Sequence, residues 1–159
     1  MKNLFKSMLL GLTMLALSGG AGAAEAAVGK GTEAQAVALV KKAVEYVKKN
    51  GKEKAFAEFN NPKGEFIDRD LYIFTFLNNG DGIERANGAN IKLVGKNVLE
   101  MKDPDGKFLI KDILAVGASK SGQGWVDYKW PNPVGGAIQA KRTYVERVDD
   151  VVIGCGIYK

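Results

Sequence analysis

The residues best equipped for chemistry sit near the C-terminus, where GWVDYKWPNP (124–133) packs two tryptophans, a tyrosine, an aspartate and a lysine into one extended run closed by prolines. With the two-residue period of a strand, Val126, Tyr128 and Trp130 share one face, while Trp125, Asp127 and Lys129 share the other. The next segment, AIQAKRTYVERV, divides in the same way into Lys141, Thr143 and Val145 against Arg142, Tyr144 and Glu146. A lysine in a half-apolar strand beside tyrosine and tryptophan suits a small carboxylate. The ammonium supplies charge, the phenol a hydrogen bond, and the ring faces a wall for the apolar remainder. Composition alone favours a plainer reading, in which Tyr128 and Trp130 are core aromatics and Lys141 is solvated at a sheet margin.

Covalent and metal chemistry find little support. The chain contains no histidine and one cysteine, Cys155, which excludes histidine-based zinc sites, Ser-His-Asp triads and Cys-His dyads and makes iron–sulfur or covalent haem sites untenable. No phosphate-binding glycine loop opens a helix, and composition leaves paired carboxylates for general acid/base work open, with no pair supported by the sequence. NNGDG (78–82) and DPDG (103–106) read as turns, because neither is followed by the acidic ligands of a calcium loop. Cys155 lies in the apolar run VVIGCGIY and reads as a small buried hydrophobe. Neither a cofactor nor an enzymatic activity is expected.

The 159 residues, 46% hydrophobic and 26% charged, fit one globular domain. Residues 1–23 have the form of a secretory signal peptide. Lys2 and Lys6 precede an apolar stretch from Met8 to Leu17, and Ala21-Gly22-Ala23 offers a cleavage site. Ala24-Glu25-Ala26 is a later option, and an uncleaved membrane anchor the alternative. Cleavage after Ala23 would leave 159 − 23 = 136 residues and lower the net charge from +5 to +3. Lysine and arginine alternate with acidic residues rather than clustering, so no nucleic-acid partner is expected.

After a flexible leader (24–31), a single domain is expected over 32–159. Thr32 is placed to cap a long helix whose apolar positions Ala36, Leu39, Val40, Ala43, Val44 and Val47 recur at helical spacing up to Gly51. A short helix, EKAFAEF, follows and stops before Pro62. Strands are expected at LYIFTFL (71–77), weakly at Ile83–Arg85, and at GWVDYKW, AIQAKRTYVERV and VVIGCGIY, with a third helix in FLIKDILAVGAS. LYIFTFL and VVIGCGIY do not alternate apolar with polar, so both sheet faces must be shielded from water. The long helix can cover one face, and only residues 87–119, mostly irregular, remain for the other. A sheet face roofed by coil is a place where a small cavity persists. Gly154 and Gly156 are expected to leave space on one face of the last strand.

Together, FNNPKGEFIDRDLYIF, ANGANIKLVGKNVLEMKDPDGKFLIKD, GWVDYKWPNP, KRTYVERV and VVIGCGIYK resemble, in spacing and order, a single Cache domain of the type 2 group over roughly residues 35–159. The resemblance implies an α+β, PAS-like fold: a long N-terminal helix packed on a five-stranded antiparallel sheet, with a ligand face covered by loop and helix. It also implies an extracytoplasmic sensor that binds a small organic acid without transforming it. Tyr72, Tyr128, Trp130, Lys141 and Tyr144 would line the pocket, with Asp103–Gly106 and Phe108 as its lid. Asn87 stands where close relatives carry histidine in A-H-G-A-N-P-K-L, and Ile91 where they carry proline. An amide can hydrogen-bond to a ligand but cannot become cationic. With Lys159 as the last residue and no output region after the domain, the expectation is a free periplasmic module whose partners are a small carboxylate and a membrane receptor or histidine kinase. The rival expectation is a ligand-independent interaction protein, dimerising weakly through its N-terminal helix.

Overall fold

The computed structural model describes residues 29–159; the expected signal peptide, and most of the expected leader, lie outside the described residues. Helix α1 (Glu33–Asn50) starts where Thr32 accepts a hydrogen bond from the Gln35 amide while the Gln35 side chain accepts one from the Thr32 amide, a reciprocal capping box. Lys48 and Lys49 in the last turn complement the helix dipole. The chain leaves at Gly51, whose φ of 80° is unfavourable for a residue with a side chain. Helix α2 (Lys52–Phe59) follows directly.

Strands β1 (Ile67–Asp68) and β2 (Leu71–Tyr72) form a small antiparallel pair, and β3 (Phe74–Leu77) and β4 (Ala86–Asn87) enter the main sheet. Helix α3 (Leu109–Ala118) then precedes β5 (Gln123–Pro131), β6 (Ile138–Val148) and β7 (Val151–Tyr158). The main sheet is five-stranded and antiparallel in the order β4-β3-β7-β6-β5. The α+β architecture is therefore the expected one, with two local differences. LYIFTFL is split at Ile73 between two sheets, and the weak strand lies at Ala86–Asn87, with Ile83 making only an isolated bridge to Asn97.

Two apolar clusters sandwich the sheet. On one face Ala36, Val40, Ala43, Val44 and Val47 of α1 meet Ile153 and Cys155 of β7 and Tyr144 of β6. On the other, Leu109, Ile110, Ile113 and Leu114 of α3 meet Phe76, Val126, Val145 and Val152. Gly117 lets α3 approach closely, since a Cβ there would stand 2.6 Å from a Val152 methyl. α3 covers only part of this face. The rest lies under irregular chain, whose Leu93, Val98 and Met101 point their apolar side chains at the sheet.

Candidate functional site

Strand register assembles the site. Lys141 pairs with Tyr128 on β5 and with Tyr158 on β7, so three polar-tipped side chains form a row across the coil-covered face. One step along, Thr143 stands between Val126 and Gly156. Lys141 is 1% exposed. Its aliphatic stem lies across Gly156, where an added Cβ would collide with the lysine Cε. The sequence suggested that the two glycines leave open space on this face, and they do not. Gly156 seats Lys141, and Gly154 seats the ring of Phe74.

The Lys141 ammonium donates to the Tyr72 hydroxyl at 2.7 Å and lies 4.1 Å from the Tyr72 ring centroid and 4.9 Å from that of Tyr158. Tyr72 and Tyr158 hydroxyls are 3.5 Å apart, and Tyr158 donates to the Pro131 carbonyl at 2.9 Å. No carboxylate forms an ion pair with Lys141 among the described residues, and two of its three N–H bonds find no protein acceptor there. Burial without a counter-ion pushes its pKa down to about 7. Tyr128, which shares a 2.9 Å hydrogen bond with Thr143, is raised by burial, as are Tyr72 and Tyr158, so all three remain neutral donors.

Beside this row lies a cavity of about 20 Å³, room for about one water molecule. Its floor is Tyr72, Phe74, Phe76, Tyr128 and Trp130; Leu93, Val98 and Met101 roof it. Lys141 is not part of the wall but is one hydrogen bond removed from it, through Tyr72. The polar end of the cavity is Glu84, 4% exposed, whose Oε1 accepts from Asn87 Nδ2 at 2.7 Å. Burial raises the Glu84 pKa to about 7, against the lowering effects of Asn87 and Lys141.

Of the residues the sequence proposed, Tyr72, Asn87, Tyr128 and Trp130 meet at this cavity and Lys141 adjoins it. Two do not. Tyr144 is on the opposite face, as the parity of its strand requires, packed against Trp125 and donating to Gln123 and Glu146. Phe108 caps the start of α3 with its ring under the ammonium groups of Lys102 and Lys111, away from the cavity. Asp103 acts by a different route from a lid. Its carboxylate accepts from the amides of Asp105, Lys107 and Lys129 and so fastens the loop to β5 beside Tyr128 and Trp130; these bonds hold its pKa down. Asn87 spends its carbonyl on the amides of Ala89 and Asn90 and presents its amide to Glu84. Glu84 itself carried no signal in the sequence. Tyr158 could have been found, since it continues the Gly154 and Gly156 face of β7.

Tyr144→Phe gives a direct check on this division of faces. It is expected to leave small-acid affinity within about twofold while costing roughly 1 kcal/mol of stability from the lost hydrogen bonds, as read by calorimetry and denaturant unfolding. A loss of binding on this substitution would place the site on the helix-covered face.

A helix-backed antiparallel sheet that keeps a small cavity under a coil roof is the architecture expected of a sensor domain, and comparison with known proteins agrees. The model of the family described as Single Cache domain 2 matches residues 21–159, and the chain belongs to that family. The sensor histidine kinase MctS of Rhizobium johnstonii is 33% identical over 92 residues, which are 57% of this chain and 19% of the kinase. This chain thus spans about a fifth of that relative's length. Among solved structures, a methyl-accepting chemotaxis protein from Vibrio parahaemolyticus superposes with a TM-score of 0.64 at 28% identity, covering 79% of this chain and 86% of that one. A carboxylic-acid-recognising Cache chemosensory domain superposes with a TM-score of 0.58 at 24% identity, over 76% and 84% of the two chains. A periplasmic sensor domain of a chemotaxis protein gives 0.60 at 20% identity, over 77% and 86%. Cache domains are extracytoplasmic, and among the described residues no helix is long and apolar enough to cross a membrane.

Proposed function

We propose that this protein is a periplasmic sensing module that binds a small organic acid non-covalently and leaves it unchanged. The observation that carries this is Lys141: an ammonium buried to 1% exposure, with no carboxylate partner among the described residues, one hydrogen bond from a largely apolar cavity. A buried cation without a counter-ion costs stability, and an incoming carboxylate relieves that cost. In this reading the acid accepts from Tyr128 and from the Tyr72–Lys141 pair, and Trp130 with Phe74 and Phe76 encloses its carbon chain. MctS is a sensor kinase and the Vibrio protein a chemoreceptor, which supports a membrane receptor or kinase as the recipient of the signal.

A ligand of few atoms binds weakly to moderately, since even efficient contacts give at most about 1.5 kcal/mol per heavy atom. Thermal-shift and calorimetric screening of two- to four-carbon acids is expected to yield binders of the wild-type protein whose affinity falls at least roughly tenfold in Lys141→Met. Full retention of affinity in that variant for every binder overturns the reading.

A further inference from the structure

The cavity wall carries a second polar group besides the Tyr72–Lys141 pair: Glu84, whose second oxygen has no hydrogen-bond donor among the described residues. An ionised carboxylate is an unsuitable neighbour for an anion. The other buried carboxylates give no relief: Asp70 accepts from the Gly31 amide with one oxygen and leaves the other buried without a partner, and Asp103 is tied to three backbone amides, against a single buried ammonium among the described residues. A simple carboxylate in this space leaves net negative charge in an apolar enclosure. A ligand that brings its own cation does not.

Resting on the reading of the cavity as an acid site, we infer that the preferred ligand is a short zwitterionic amino acid, its carboxylate toward Tyr128 and the Tyr72–Lys141 pair and its ammonium toward Glu84. Asn87 is then a positioning residue. Its amide holds one Glu84 oxygen and leaves the other free for the ligand's ammonium, a task that suits a neutral donor such as asparagine. The raised pKa of Glu84 and the lowered pKa of Lys141 fit two groups awaiting opposite charges.

Alanine, propionate and lactate separate the alternatives, because they share a three-carbon acid and differ only in carrying an ammonium, a hydrogen or a hydroxyl at the second carbon. In calorimetry of the wild-type protein at neutral pH, alanine is expected to bind roughly tenfold or more tightly than either of the others. Glu84→Gln is expected to reverse the order, weakening alanine at least roughly tenfold and strengthening propionate. A second measurement needs no variant. Titrations in two buffers of different ionisation enthalpy should show alanine binding with almost no net proton exchange, and any propionate binding with uptake of about one proton. Propionate or lactate binding as tightly as alanine, with affinity dependent on Lys141, overturns the amino-acid inference and leaves acid binding standing. Silence of all three, and of their two- and four-carbon homologues, overturns both.

Discussion

Lys141→Met is expected to melt at a higher temperature than the wild-type protein while losing the proposed small-acid site. The methionine retains most of the stem that lies across Gly156 and removes the ammonium, which has one phenolic acceptor and no counter-ion among the described residues. Replacing buried charge with an apolar group of similar shape is commonly stabilising, here by about 2 kcal/mol. That corresponds to a rise of roughly 5–10 °C for a domain of this size. Scanning calorimetry without ligand, followed by a repeat of the acid screen, measures both halves. A variant less stable than the wild type would mean that the ammonium is a structural strut, and its place in ligand binding would fall with that result. A lysine kept at a cost to the fold is the signature of a functional site, because stability alone would have selected the hydrocarbon.

The second expectation is a stability minimum near neutral pH in the ligand-free protein. Glu84 has a folded pKa raised from 4.5 to about 7, so the folded state holds its proton more tightly than the unfolded chain. That contribution is complete below the unfolded value and is lost as pH rises through about 7. Lys141 is displaced the other way, from 10.5 down to about 7. Its contribution is present at high pH and lost as pH falls through about 7. Stability should therefore decline from pH 5 to 7 and recover from 7 to 9, by on the order of 2 kcal/mol on each limb. Above that range the Cys155 thiol, pushed up to about 12 by burial, adds an opposing loss. Glu84→Gln should flatten the acid limb and Lys141→Met the alkaline one. A monotonic profile in the wild-type protein would show that the two groups do not share one buried environment.

The architecture was largely legible because its signals are periodic. The Thr32 cap, the α1 stripe and the parity of β5 and β6 each follow from local repeats, and parity correctly separated Lys141 and Tyr128 from Arg142 and Trp125. The same parity contradicted the place of Tyr144 in the pocket, which came from family resemblance alone. What the sequence hid was non-local. Glu84 belongs to a segment whose chain path follows no period, and it reaches the cavity only because Asn87 and the turn around Gly82 direct it there. Phe108 was expected in the lid from family resemblance alone; its ring instead lies under the ammonium groups of Lys102 and Lys111 and is absent from the cavity lining. Gly154 and Gly156 were recognisable as openings in a strand, but the side chains that fill them, Phe74 and Lys141, come from other strands and are set by register.

Room for a single water in the resting cavity has a mechanical consequence. Even a two-carbon acid must act as a wedge, driving Leu93, Val98 and Met101 away from a sheet that the α1 layer holds rigid from behind. Arrival and departure should then follow the breathing rate of that segment rather than free diffusion. The outer contour of residues 93–101 would become the dial from which a neighbouring molecule reads whether the chamber is full.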